Sequence, residues 1–476
     1  MAKSLTPDIC VIGAGSAGLS VAAAAAAFGV EVVLIEKGLM GGDCLNFGCV
    51  PSKALLAAAK AAEARDAGKR FGAGCTVGEI DFSRANDHVR RVIAAIAPHD
   101  SQERFEGLGV TVLRGTAEFT GPTSVKVGDT DIRARRFVIA TGSSPLVPPI
   151  PGLDEVPFLT NETLFDLRER PEHLAVIGGG PIGLEMAQAH CRLGSKVTVF
   201  EARKALGRDD PELAAVVLEK LRAEGIQILE ETAVEKVAAS GGGITVTATA
   251  ADGDAKEVKA SHLLVAAGRS ANVTGLGLDN AGIDHDRNGI KVDNGLRTSN
   301  RRVYAIGDVA GGLQFTHVAG HQAGLVIRSI LFRLPASMNN DLVPWVTFTA
   351  PELGHVGLSE AAARARYGKR VKVLTADYAG NDRAQAEAET AGRLKLIAGP
   401  RGRLLGADVV GAQAGEIITL LSLALTKRMT MKDLAGFIAP YPTLGELVRR
   451  AAISYYAEAP KNAWLRRGIA ILRLFG

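Results

Sequence analysis

Asp8-Ile-Cys-Val-Ile-Gly13-Ala-Gly15-Ser-Ala-Gly18 is a short apolar strand that runs into a glycine turn and then an alanine-rich helix containing Ala22–Ala27. Glycines at these positions permit a tight turn and let backbone approach a pyrophosphate, while the helix start offers free N–H groups and its dipole. Val32-Val-Leu-Ile-Glu36 is the next strand, and it ends in an acid placed to bind a ribose hydroxyl. A glycine pattern alone is weak evidence, but strand, turn, helix and acid together are strong. The pattern recurs: Leu174-Ala-Val-Ile-Gly178-Gly-Gly180-Pro-Ile-Gly183 opens a second helix and Val197-Thr-Val-Phe-Glu201 closes a second strand. Both acids stand at the same spacing from their turns, which a repeat without ligands does not explain. Two nucleotides are expected, one read as a flavin and the other as a nicotinamide.

Just beyond the first unit lies Cys44-Leu-Asn-Phe-Gly-Cys49. Five residues of regular helix rise roughly 7.5 Å, whereas a disulfide wants its Cα atoms within about 7 Å. A bridge here needs a bent helix start, for which Asn46, Gly48 and Pro51 are available. A strained, accessible bridge is easily reduced, so the segment reads as a redox device rather than a staple. Cys10, Cys75 and Cys191 are isolated and read as inert buried thiols.

The composition narrows the class. With 476 residues, several domains are expected. A net charge of +4 over this length gives no reason to invoke nucleic acid. The first residues lead straight into an apolar strand without a signal-peptide pattern, and no apolar run reaches membrane-spanning length. A cytoplasmic protein is expected, where a close thiol pair is catalytic more often than structural.

The chain resembles the FAD-dependent pyridine nucleotide-disulfide oxidoreductases of class I, the group of dihydrolipoamide dehydrogenase, glutathione reductase and mercuric reductase. The likeness runs from about residue 7 to about residue 457. It is carried by Gly41-Gly-Asp-Cys-Leu-Asn-Phe-Gly-Cys-Val-Pro-Ser-Lys53, Ala140-Thr-Gly-Ser, Ala267-Gly-Arg and Tyr304-Ala-Ile-Gly-Asp308. The resemblance implies an α/β enzyme with two Rossmann-like domains, one for FAD and one for NAD(P), and a C-terminal α+β dimerisation domain. It places Gly13, Gly15, Gly18 and Glu36 at the ADP half of FAD, and the Ala117 backbone at the adenine. It also brings Lys53, Thr141, Gly142, Asp308, Thr316 and His317 to the FAD site. His317 and His321 are read as satisfied histidines beside the cofactor in preference to general bases. NAD(P) falls to Gly178, Gly180, Gly183, Glu201, Arg203 and Gly268. A carboxylate at 201 repels a 2′-phosphate and favours NADH over NADPH, although Arg203 and Lys204 are placed either to clamp that phosphate or to lie in solvent. No resident metal is expected.

In the family's roles Cys49 is the thiol against the flavin, Cys44 the thiol that meets substrate, and Lys53 a lysine paired with Glu185. The C-terminal segment departs from the pattern. Dihydrolipoamide and glutathione reductases carry a histidine and, five residues on, a glutamate; here Pro440-Tyr441-Pro442-Thr-Leu-Gly-Glu446 keeps the glutamate and replaces the imidazole by a phenol. A phenol titrates near 10 and an imidazole near 6.5, so Tyr441 is a poor proton shuttle at neutral pH. Tyrosine there resembles mercuric reductase, but no cysteine follows Cys191 to deliver the ion.

The expected segments are 1–146 and 270–343 for the FAD-binding domain, 147–269 for NAD(P), 344–458 for dimerisation, and a basic amphipathic tail over 459–476. Tyr441 and Glu446 are expected to face Cys44 of the other subunit of a homodimer. The tail is placed either on a membrane surface, on the dimer, or fraying. The expected activity passes electrons from NAD(P)H through flavin and the Cys44–Cys49 disulfide to a disulfide, metal ion or small electrophile. The rivals are a dihydrolipoyl dehydrogenase lacking its histidine and a redox-responsive FAD- and NAD(H)-binding protein with little turnover.

Overall fold

A computed structural model describes residues 3–72 and 80–475. Two compact units emerge: Met1–Lys204 with Gly225–Met338, and Ala205–Glu224 with Asn339–Gly476. Helix Pro211–Ala223 follows the second glycine unit in sequence, yet it belongs by contact to the C-terminal unit.

The first unit holds a five-stranded parallel sheet in the order Val303–Ala305, Arg136–Ile139, Ile9–Ile12, Val32–Glu36, Thr111–Arg114. Ile9–Ile12 is its middle strand and is wholly buried, as a strand covered on both faces must be. Helix Ser16–Ala27 packs Ala17, Ala22 and Ala25 into a core shared with Ala319, Ala323 and Val326 of helix Thr316–Phe332. Small side chains let these two helices lie close, which brings the start of the second helix over the carboxyl ends of the strands. A second parallel sheet, ordered Gln227–Leu229, Lys196–Phe200, His173–Ile177, His262–Val265, repeats the arrangement.

The duplication reaches atomic detail. Gly13 has φ +106° and a Cβ there would stand 2.3 Å from the Ala140 carbonyl oxygen; Gly178 has φ +117° and 2.4 Å to that of Ala266. Only glycine fits such a turn. The α/β class expected from the sequence is the one observed.

The second unit is a five-stranded antiparallel sheet in the order Trp345–Thr347, Glu352–Gly357, Leu404–Gly411, Arg393–Ala398, Lys372–Asp377. Helices Ala414–Thr426, Met431–Gly436 and Glu446–Ser454 share a core with alternate residues such as Leu394, Leu396, Ala407 and Val409. Between those core positions, His355, Asp408 and Lys395 lie in register on three adjacent strands. Asp210, the N-cap of helix Pro211–Ala223, accepts two hydrogen bonds from Lys395 Nζ at 2.9 and 3.0 Å. Glu212 adds a third carboxylate oxygen at 2.5 Å. Lys395 is thus the buried charge that fastens this helix to the sheet. Among the described residues, no helix is long and apolar enough to cross a membrane.

Removing one partner of a buried ion pair strands the other. Lys395→Met is expected to lower the stability of the second unit by about 3 kcal/mol. The loss is read from its denaturant midpoint, and Lys395→Met combined with Asp210→Asn is expected to recover part of it.

Candidate active site

The thiol segment is built on the first glycine turn. Gly41 N–H donates to the Ala14 carbonyl at 3.0 Å. Gly42 stands so close that a Cβ on it would lie 2.7 Å from Gly15 Cα. Gly41 and Gly42 both have positive φ, 85° and 60°, and launch the short helix Gly42–Asn46. Asn46 Nδ2 ties that helix down by donating to the carbonyls of Met40 and Gly42 at 3.0 and 2.8 Å. The chain breaks at Phe47-Gly48 and resumes as helix Cys49–Ala67. Asn46 therefore precedes the expected bend and Gly48 lies in it, while Pro51 lies in the first turn of the second helix, where its missing N–H costs nothing.

Both sulfurs are free thiols. Cys49 is the first residue of its helix, and Thr316, the first residue of helix Thr316–Phe332, stands with Oγ1 3.3 Å from its sulfur. A thiolate is stabilised at helix N-termini and by hydrogen-bond donors. A hydrogen bond from Cys44 is the main cause that lowers the Cys49 thiol to about 6 against the resistance of burial, with help from Thr316 and the charge of Lys53. The hydrogen bond with Cys49 pushes Cys44 above its ordinary value, and burial adds to it. The two cysteines thus divide their roles: Cys49 holds the thiolate and Cys44 the proton. Ser16, from the glycine turn itself, also hydrogen-bonds Cys44.

Lys53, one turn beyond Cys49, bonds the nearly buried Glu185 at 2.8 Å, so the structure brings that expected pair together. Asp43, beside Cys44, is a hub that the sequence did not reveal. Its Oδ1 accepts from Asn161 Nδ2 at 2.9 Å and pairs with Arg269 Nη2 at 3.1 Å. Arg269 Nε donates to Ser143 Oγ at 2.7 Å, and Ser143 Oγ donates to Asp308 Oδ2 at 2.5 Å. Burial raises the Asp308 carboxyl above its ordinary value. Arg269 ends the Ala267-Gly-Arg motif, in which the sequence points to the glycine and not to the guanidinium.

Two carboxylates close the glycine turns. Glu36 accepts from Ala14 N and Gly38 N, both at 2.6 Å. Glu201 accepts from Gly179 N at 2.8 Å and Arg203 N at 2.9 Å. Helices Ser16–Ala27 and Pro181–Arg192 start at Gly15 and Gly180 without a side-chain cap. Helices beginning after Asp81, Asp210 and Thr430 each have one. At Gly15 a Cβ would meet only Gly42 Cα within 4 Å, at 3.9 Å, and at Gly180 nothing. Uncapped helix starts behind open glycine surface are what a pyrophosphate requires, so the residues fit two dinucleotides.

Other expected residues have local partners. Thr141 Oγ1 donates to the Asn272 carbonyl at 2.8 Å, and Gly142 has φ +69°. Ala117 is buried at the start of a strand. Gly268 O accepts from Leu146 N at 2.9 Å. His317 stacks on Phe315, and His321 is exposed. Gly18 and Gly183 repeat each other as Gly13 and Gly178 do: a Cβ would meet the turn carbonyl at 1.9 and 2.0 Å. Arg203 is exposed, and Lys204 pairs with Glu231 at 2.9 Å. Cys10 is buried, Cys191 only half-buried, and Cys75 lies outside the described residues.

In the second unit, Tyr441 is 71% exposed and its phenol donates to Asp382 Oδ2 at 2.9 Å. That bond raises the phenol above its ordinary value. Glu446 Oε2 accepts from Thr443 N at 3.4 Å and starts the helix Glu446–Ser454. The phenol bonds Asp382, 59 residues away, a partner with no local sequence signature.

Comparison with known proteins identifies the family. A family model described as pyridine nucleotide-disulphide oxidoreductase matches residues 7–323, and the dimerisation domain of the same family matches residues 343–452. The chain is 37% identical to a mercuric reductase of Streptomyces lividans over 463 residues, covering 95% of this chain and 97% of that protein. It is 34% identical to a dihydrolipoyl dehydrogenase of Chlorobaculum parvum, covering 94% and 96%. It superposes with a TM-score of 0.85 and 30% identity on the Cu(II) complex of the HOCl-induced flavoprotein disulfide reductase RclA from Escherichia coli, covering 95% of this chain and all of that one.

Alkylation of the reduced protein by iodoacetamide should follow a single thiolate with a midpoint at about pH 6. Thr316→Val and Cys44→Ala should each move that midpoint upward, Cys44→Ala by more.

Proposed function

The chain belongs to the pyridine nucleotide-disulphide oxidoreductases, and from that premise we propose that it reduces a thiophilic metal ion at Cys44 and Cys49 with electrons from NADH. The family makes it an FAD-dependent enzyme that uses a pyridine nucleotide. The metal ion and the preference for NADH are our reading.

FAD, when bound, supplies the redox centre that takes electrons from the nicotinamide and gives them to the thiol pair. Gly13, Gly15, Gly18 and Glu36 hold its ADP half, with the Ala117 backbone at the adenine, and Thr141, Gly142, Asp308, Thr316 and His317 border the rest. Gly178, Gly180, Gly183, Glu201, Arg203 and Gly268 hold the nicotinamide nucleotide. The Glu201 carboxylate, fixed by two backbone N–H groups, accepts from a ribose 2′-hydroxyl and repels a 2′-phosphate, which is the ground for NADH.

The observation that carries the metal-ion reading is the Tyr441–Asp382 hydrogen bond. A dithiol substrate must lose protons to react, and a phenol held protonated by a neighbouring carboxylate does not accept them at neutral pH. A soft metal ion asks for no such base. It needs two sulfur ligands, of which Cys49 is already a thiolate and Cys44 becomes one as its proton is displaced. The balance for mercury is Hg(II) + NADH → Hg(0) + NAD+ + H+. For copper two ions are reduced by one electron each, 2 Cu(II) + NADH → 2 Cu(I) + NAD+ + H+. Lys53, paired with Glu185, contributes positive charge beside the Cys49 thiolate.

The dimerisation domain supports a homodimer. In it Tyr441 and Glu446 border the partner's thiol pair, so that each active site is shared. The free thiols suit the reducing cytoplasm.

A panel of acceptors tests this reading. NADH oxidation is expected with Hg(II) or Cu(II) in the presence of excess thiol, with Cys44→Ser and Cys49→Ser each losing at least about a hundredfold. Lipoamide should be turned over slowly, and Tyr441→His should raise that rate about tenfold or more. Rapid lipoamide turnover by the unmodified enzyme would show that Tyr441 does not bar a dithiol substrate and would favour a dihydrolipoyl dehydrogenase. No acceptor above the oxygen background would favour a redox-responsive binding protein.

A further inference from the structure

We propose that the C-terminal helix Ala463–Leu472 is an in-plane anchor that docks the enzyme on the surface of an anionic phospholipid bilayer. The helix is beyond the part matched by the dimerisation domain, which ends at residue 452. It begins properly: Asn462 caps it by accepting from Trp464 N at 2.9 Å and Leu465 N at 3.3 Å. Yet none of its residues is buried. Trp464 is 79% exposed, Leu472 69% and Phe475 84%. A helix with no core to join has tertiary stability to gain only from a surface outside this unit.

The residues are sorted around its axis. At roughly 100° per residue, Ile471, Trp464, Gly468, Leu472, Leu465 and Ile469 share an arc of about 160°. Arg473 and Arg467 border that arc on either side, and Arg466 lies behind it. Arginines in these places lay their stems along the apolar surface and raise their guanidinium groups to phosphate level. Arg467 already lies over the Trp464 ring, 5.6 Å from its centroid. No acidic residue follows Glu458, so Arg466, Arg467 and Arg473 meet no opposing charge within the tail. Lys461, by contrast, is paired with Glu458 at 2.9 Å.

The charge pattern decides between occupants. A second copy of the helix, packed face to face across a two-fold axis, brings the bordering arginines of both copies to one rim, where like charges repel. An anionic bilayer neutralises the same arginines and buries the same apolar arc.

The test uses the full-length, FAD-loaded protein sedimented with vesicles of phosphatidylcholine, alone or mixed with phosphatidylglycerol. Binding to the mixed vesicles should be about a hundredfold tighter, from three arginines near the surface. Substituting all three arginines by Gln should erase the preference. Leu465→Glu with Leu472→Glu should abolish binding to both vesicle types while NADH oxidation in solution stays unchanged. In a Trp345→Phe background, Trp464 emission should shift to the blue on adding the mixed vesicles. Equal or absent binding to the two vesicle types would overturn the proposal. So would a Trp464 already blue and shielded from acrylamide in the lipid-free protein, which would seat the helix in a protein interface.

Discussion

The thiol segment rests on the first glycine turn, and the rest of the site follows from that contact. Gly41 N–H bonds the Ala14 carbonyl, and Gly42 lies so close to Gly15 that Gly42 has no room for a Cβ. The contact fixes where the short helix Gly42–Asn46 begins, hence where Cys44 stands, with Ser16 of the turn as its hydrogen-bond partner. One backbone device therefore serves two purposes: it leaves the start of helix Ser16–Ala27 open and it seats the two thiols beside it. Helix Thr316–Phe332, packed on the alanine face of Ser16–Ala27, brings its N-terminus to the same place and adds Thr316 to Cys49.

The division of labour between the sulfurs follows from position. Cys49 sits at a helix start near the Lys53 ammonium and faces Thr316, so its negative charge is stabilised although it is partly desolvated. Cys44 is also hydrogen-bonded by Thr316 and Ser16, but its hydrogen bond with Cys49 and its burial outweigh them, and it keeps the proton. Asp43, the one nearby group that opposes the Cys49 thiolate, is itself engaged by Arg269 and Asn161. Arg269 thereby links the thiol segment to Ser143 and, through it, to Asp308.

What the sequence displayed was whatever its local spacing determines. Gly13 to Glu36 and Gly178 to Glu201 are legible because a strand, a turn and a helix of fixed size separate the partners, and the structure closes both with the same hydrogen bond. The Lys53–Glu185 pair was reached through family resemblance, since 132 residues separate the two. Thr316 on Cys49 joins residues 267 apart, and its nature as a thiolate donor carries no local signature. The same holds for Asn161 and Arg269 on Asp43, and for Asp382 on Tyr441. These partners are set by how helices and loops pack, which no short motif encodes. The tail was legible as an amphipathic pattern; its lack of any buried residue became visible only in three dimensions.

Electrons from the nicotinamide nucleotide should reach Cys44 and Cys49 together. Differential alkylation under anaerobic conditions tests this most directly: the oxidised, FAD-loaded enzyme is labelled before and after NADH, and mass spectrometry locates the new adducts. NADH should expose two thiols at once, Cys44 and Cys49, with Cys10 and Cys191 unchanged. Labelling of the pair that is the same with and without NADH would contradict it.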